Sequence, residues 1–186
     1  MVKPRRAVFL DRDGVVNRAA VRDGLPRPPA TLADFEILPG VAESVQRLRQ
    51  AGFKVVIVTN QPDVARGDQE KAVVEAMHDI VRQVVKPDSI EACYHDDAEG
   101  CECRKPAPGM LLGAARDLGL DLTASFMVGD RWRDIEAGQR AGCRTVFVDR
   151  RYGERPPEAP DAVVVDLPEA VNWILTNDMK EDACIA

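Results

Sequence analysis

Short apolar runs that stop abruptly in polar clusters recur along the chain, separated by stretches of helical period. Residues 7–10, Ala-Val-Phe-Leu, are uniformly apolar and end at Asp11-Arg12-Asp13-Gly14. A brief run of this kind bounded by glycine predicts a strand buried on both faces, as in a parallel sheet. The pattern repeats at residues 54–59, 90–94, 125–128, 143–148 and 161–165. Between these runs, Val41–Gln50 sets Val41, Val45 and Leu48 on one face and stops at Gly52, as an amphipathic helix does. Further helices are expected over residues 69–85 and Gly109–Leu118, just after Asp130, and over residues 168–175. Residues 15–34 contain Pro26, Pro28 and Pro29, so an irregular loop is expected there, long enough to serve as a lid or specificity element. Alternation of strand and helix predicts an α/β fold, a Rossmann-like doubly wound sheet that is mostly parallel with helices on both faces.

Composition narrows the class. A chain of 186 residues, 45% hydrophobic and 30% charged, suits one globular domain spanning 1–186, with a loose tail expected over residues 177–186. No apolar run approaches the ~20 residues of a membrane helix, and Met1 to Arg6 leads only into a short strand, so neither membrane insertion nor secretion is expected and the cytoplasm is the expected compartment. The net charge of −6 argues against a nucleic-acid partner. Yet Arg12, Arg18, Arg66, Arg104, Lys105 and Arg131 stand near the polar clusters, a local positive field in an acidic protein.

Ligands of such sheets bind beyond the carboxyl ends of the strands. Asp11 and Asp13 at one strand end repel unless a cation or a shared proton relieves them. Mg²⁺ is the simplest remedy, since it takes oxygen ligands and joins carboxylates to substrate phosphate; a solvated turn with Gly14 at positive φ is the plain alternative. Thr59, Asn60 and Gln61 bring a hydroxyl and two amides that either donate to phosphoryl oxygens or satisfy their turn. Lys105 adds a fixed cation and Asp130 another carboxylate, with Asp134 one helical turn on and on the same face. Gathered at one sheet edge, these are the parts of a phosphoryl-transfer site. Of five cysteines, Cys93, Cys101 and Cys103 crowd beside His95, which favours a metal over a disulfide. Cys143 reads as a strand residue and Cys184 as a tail thiol.

These motifs resemble, in order, those of the haloacid dehalogenase superfamily of phosphatases. Phe-Leu-Asp-Arg-Asp-Gly followed by Asn17, Val58-Thr59-Asn60-Gln61, Ala65-Arg66-Gly67, Cys101-x-Cys103-Arg104-Lys105-Pro106 and Met127-Val128-Gly129-Asp130 are similar to the D-glycero-D-manno-heptose 1,7-bisphosphate phosphatases within it. The resemblance implies Asp11 as nucleophile, forming an aspartyl phosphate, and Asp13 as general acid and base. It implies Mg²⁺ on the Asp11 carboxylate, the Asp13 main-chain carbonyl and Asp130, with Asp134 either holding a metal-bound water or forming a salt bridge on the helix surface. Thr59 and Lys105 would steady the transferring oxygens, and Asn17, Asn60, Gln61, Arg66, Arg104 and Arg131 would contact substrate. Cys93, His95, Cys101 and Cys103 resemble a zinc loop; three thiolates and an imidazole close a tetrahedron and mark a structural zinc. That loop would bring Arg104 and Lys105 to the substrate.

The chain lacks the Asp-x-Gly-Tyr stretch of that family in its longer residue 18–35 loop, has five residues between His95 and Cys101, and has Pro62-Asp63 after Gln61. No large cap domain fits, so a monomer is expected, with specificity from the 18–35 and zinc loops and a small phosphorylated sugar as partner. The alternatives are a histidinol-phosphate phosphatase or another small sugar-phosphate phosphatase, with Asp96, Asp97 and Glu99 solvated or facing an amine, and a non-catalytic sugar-phosphate sensor.

Overall fold

The computed structural model describes residues 5–184. Six strands form one sheet: β1 (Arg6–Leu10), β4 (Phe53–Asn60), β5 (Ser89–Cys93), β6 (Phe126–Gly129), β7 (Arg144–Val148) and β8 (Ala162–Val164). Their spatial order is β5-β4-β1-β6-β7-β8, and every pairing is parallel. The central strands β1 and β6 and the middle of β4 read as unbroken apolar runs because both faces are covered. Val8 and Leu10 of β1 join a core with α1 (Val41–Gln50) and α6 (Leu167–Cys184), while Ala7 and Phe9 join a second core with α4 (Gly109–Leu118) and α5 (Trp132–Ala141).

Register decides where the chemistry stands. Leu10 is level with Ile57 of β4 and Val128 of β6, so Asp11, Thr59 and Asp130 emerge together at one edge. Asn60 is level with Cys93, which brings the cysteine loop alongside.

Three stretches differ from the sequence reading. Residues 15–34 are not merely a loop: β2 (Ala20–Arg22) and β3 (Leu25–Arg27) form an antiparallel hairpin, followed by a 3-10 turn at Leu32–Asp34. Its two turn residues, Asp23 and Gly24, have φ of 53° and 75°, the left-handed pair that matches the twist of flanking strands. A short helix, α2 (Asp63–Arg66), precedes α3 (Lys71–Val84). The last helix runs on to Cys184 where a loose tail was expected; the remainder of that tail, Ile185 and Ala186, and the start Met1 to Pro4 lie outside the described residues. Among the described residues no inserted cap domain interrupts the sheet, and no helix is long and apolar enough to cross a membrane.

Candidate active site

The end of β1 delivers Asp11 into a buried cluster. Asp11, Asp130 and Asp134 each present a carboxylate oxygen within 4.8 Å of the others. Lys105 Nζ lies 2.6 Å from Asp11 Oδ1 and 2.6 Å from Asp134 Oδ1, and donates to the Val58 carbonyl at 2.8 Å. Asp134 is therefore no surface residue: it is 2% exposed, and its second oxygen accepts from the Arg131 N–H at 3.0 Å. The surface salt bridge considered for it is replaced by a buried one. Burial pushes the Asp11 carboxyl up to about 7; Lys105 pulls it down, and the charges of Asp134 and Asp13 push it further up. Asp130 is likewise raised well above the carboxylate range by burial and by Asp11 and Asp134. Burial alone would lower the Lys105 ammonium, but Asp11 and Asp134 hold it above its ordinary range.

Once ionised, three carboxylates against one ammonium carry two uncompensated negative charges, which one divalent cation would balance. Asp130 Oδ1 is buried without a hydrogen-bond partner, while Oδ2 accepts from the Tyr152 hydroxyl at 2.8 Å. A hard oxygen-seeking cation fits this set. Gly14, at φ 99°, is needed against it, since a Cβ there would lie 1.8 Å from Asp130 Oδ2.

Asp13 is held apart from that cluster. Arg12, fully buried, donates from Nε at 3.2 Å and from Nη2 at 3.0 Å to its Oδ1. Asn17 Nδ2 donates to Oδ1 at 3.0 Å, and Gln61 Nε2 to Oδ2 at 2.8 Å. Gln61 also donates to Thr59 Oγ1 at 2.8 Å, which leaves the Thr59 hydroxyl proton free for another acceptor. Asn60 clasps the Lys105 backbone from both sides, accepting from its N–H at 3.1 Å and donating to its carbonyl at 3.0 Å. Asn17 and Gln61 thus turn toward Asp13, whereas Asp11, Asp13, Thr59, Asn60, Arg66, Arg104, Lys105, Arg131 and Asp134 all line one cavity of about 220 Å³.

The four side chains of the cysteine loop also converge. Cys93 Sγ is 3.6 Å from His95 Nδ1, 3.6 Å from Cys101 Sγ and 3.3 Å from Cys103 Sγ; Cys103 Sγ is 3.3 Å from His95 Nδ1 and 3.4 Å from Cys101 Sγ. These separations are far beyond a disulfide of about 2.05 Å. They approach the ~3.7 Å edges of a tetrahedron built on Zn–S distances of about 2.3 Å. Two acidic residues of this loop are paired with arginines: Asp96 with Arg66, and Asp97, half exposed at the cavity wall, accepts from Arg104 Nε at 2.7 Å, with Arg133 at 3.4 Å and Arg66 at 3.5 Å.

Sequence reasoning missed several residues that the fold brings here. The β2–β3 hairpin lines the cavity with Leu25, Pro26, Arg27 and Pro28; the Asp23-Gly24 dipeptide was its signal. The Arg27 side chain makes no hydrogen bond or ion pair among the described residues. Arg133 lines the cavity, and Glu154 accepts from Arg131 Nε at 2.9 Å. Behind Asp13, Arg12 Nη1 reaches His78 Nε2 at 3.1 Å, so that nitrogen must be the unprotonated acceptor.

Comparison with known proteins agrees with this geometry. The HAD-hydrolase-like family matches residues 102–170. A D-glycero-beta-D-manno-heptose-1,7-bisphosphate 7-phosphatase of Pseudomonas aeruginosa is 38% identical over 156 residues, 81% of this chain and 85% of that protein. The protein of the same description from Escherichia coli K12 is 35% identical over 92% of this chain and 96% of its own length. The crystal structure of the D,D-heptose 1,7-bisphosphate phosphatase of B. bronchiseptica, complexed with magnesium and phosphate, superposes with a TM-score of 0.79 at 34% identity, covering 93% of this chain and 99% of that one. At 34–38% identity over most of both lengths, the chain belongs to the heptose 1,7-bisphosphate phosphatase family of haloacid dehalogenase-like hydrolases.

Proposed function

We propose that the chain is a Mg²⁺-dependent phosphomonoester hydrolase that removes the 7-phosphate of D-glycero-D-manno-heptose 1,7-bisphosphate. The observation that carries the reading is the buried Asp11, fixed at a strand end and 2.6 Å from Lys105, beside the partnerless Asp130 Oδ1. In this reading an Asp11 oxygen attacks phosphorus, and the bond from phosphorus to the sugar oxygen breaks as Asp13 gives that oxygen a proton. Asp13 then takes a proton from water, whose oxygen attacks the aspartyl phosphate; phosphate leaves and Asp11 is restored. Arg12, Asn17 and Gln61 fix the orientation of the Asp13 carboxyl group beside the cavity. Thr59 donates its free proton to a phosphoryl oxygen, and Lys105 balances charge on the transferring group. Asp134 anchors Lys105.

Mg²⁺ would be held by the Asp11 carboxylate, the Asp13 carbonyl and Asp130, supplying charge neutralisation between nucleophile and phosphoryl group. Zinc would be held by Cys93, His95, Cys101 and Cys103 in a purely structural role, fixing Asp97 and, through it, Arg104. Arg66, Arg104 and Arg131 support a substrate with a second phosphate. The same pairings weigh against histidinol phosphate, because an amine would compete with Arg66 and Arg104 for Asp96 and Asp97.

The experiment compares kcat/KM with Mg²⁺ for both anomers of the heptose bisphosphate and for histidinol phosphate. Relatives named for the β-anomer make it the leading substrate. A value of about 10⁴ M⁻¹s⁻¹ or more on a bisphosphate, well above histidinol phosphate, is expected. Equal, poor turnover of all three overturns the substrate, and no turnover of any phosphomonoester leaves a sensor.

A further inference from the structure

We propose that Tyr152 is a positioning residue for the catalytic metal: its hydroxyl engages one oxygen of Asp130 so that the other stands open to a divalent cation. The inference rests on the magnesium reading above. Tyr152 lies 22 positions beyond Asp130, in the segment after β7, and contributes nothing to the sequence motifs. Its hydroxyl donates to Asp130 Oδ2 at 2.8 Å, whereas Asp130 Oδ1, equally buried, has no partner. A buried carboxylate with one oxygen satisfied and the other bare is the arrangement of a ligand oriented from behind.

A phenol suits this task. It is neutral, so it fixes the far oxygen without bringing a positive charge to compete with the cation, as a second lysine would. Lys105 meanwhile serves Asp11 and Asp134, and the side-chain donor to Asp130 is the Tyr152 hydroxyl.

Three contacts hold the segment that carries the phenol. Arg150 Nε donates to the Gly14 carbonyl at 2.9 Å, the Gly153 N–H donates to the Gly24 carbonyl at 2.7 Å, and Glu154 pairs with Arg131. Two of these anchors, Gly14 and Arg131, adjoin Asp13 and Asp130 along the chain. Gly14 also lets the groups meet, because a Cβ there would lie 2.9 Å from the Tyr152 oxygen.

The test is metal affinity, read without turnover. Tyr152→Phe keeps the ring and removes the hydroxyl. Free Mn²⁺ is followed by electron paramagnetic resonance, and Mg²⁺ is titrated in competition. The Mg²⁺ Kd of Tyr152→Phe is expected to rise about 10-fold or more, with the metal-free melting temperature within about 2 °C of the parent. A Kd within twofold of the parent overturns the assignment. Arg150→Met, which frees the segment from Gly14, should weaken Mg²⁺ in the same direction, and the double variant should be no weaker than Tyr152→Phe alone, since both act through one hydrogen bond. Additive losses overturn it as well. Asp130→Asn separates the two levels: if it binds Mg²⁺ like the parent, the magnesium reading itself falls, whereas loss there with none in Tyr152→Phe removes only the role of Tyr152.

Discussion

At the scale of single residues, Asp11 and His78 lead to opposite kinds of consequence. Asp11→Asn keeps shape and removes the nucleophile, so phosphate release should fall by at least about 10³-fold while far-UV circular dichroism is unchanged; turnover near the parent rate would remove Asp11 from that role. His78 is buried beside the Arg12 guanidinium, and burial, then the Arg12 charge, lower its pKa to about 4 from 6.5. A base whose folded pKa is depressed binds more protons when unfolded, so its contribution favours folding above pH 6.5 and is lost as pH falls toward 4. The loss is up to about 3 kcal/mol for this shift. His78→Gln, whose amide oxygen still accepts from Arg12, should flatten the acid limb relative to the parent in urea melts at pH 4 to 7; parallel limbs would show that His78 is not the titrating group. Arg12 was legible as a cation beside the polar clusters, but its pairing with His78 was not, because they lie 66 positions apart and no local pattern announces it. Asp11, Asp13, Lys105 and Asp130 were legible, since each ends a strand or follows the cysteine motif directly.

At the scale of elements, legibility followed burial. β1, β4 and β6 are covered on both faces, and their apolar runs gave their positions to within a residue or two. The β2–β3 hairpin is half exposed, with Val21 58% accessible, and Pro26 inside β3 argued against any strand. Pairing with Val21 at a sheet edge tolerates that proline, and the Asp23-Gly24 turn sets the register. Gly24→Val places a β-branched residue at positive φ, costing about 1–3 kcal/mol locally. Because this hairpin walls the cavity and not the nucleophile, KM should rise several-fold with kcat changing less; an unchanged KM would detach the hairpin from substrate. The zinc loop is the second such element. A chelator that withdraws zinc should release one metal per chain and lower the melting temperature, and release of none would leave Cys93, His95, Cys101 and Cys103 as plain thiols and imidazole.

The whole molecule is acidic, at −6, yet one edge of its sheet gathers Arg27, Arg66, Arg104, Lys105, Arg131 and Arg133 around a single cavity. Attraction of a multiply charged sugar across that edge is screened by salt, so KM for the bisphosphate should rise between about 0.05 and 0.5 M NaCl as the Debye length shrinks; a flat response would place the arginines outside recognition. The ion pairs themselves carry a further consequence. Arg66, Arg104, Arg131 and Arg133 are already bonded to Asp63, Asp96, Asp97 and Glu154, so an arriving anion displaces a resident carboxylate and gains only the difference. The cavity then behaves as an ion exchanger, whose resident carboxylates yield more readily to a densely charged anion than to a singly charged one.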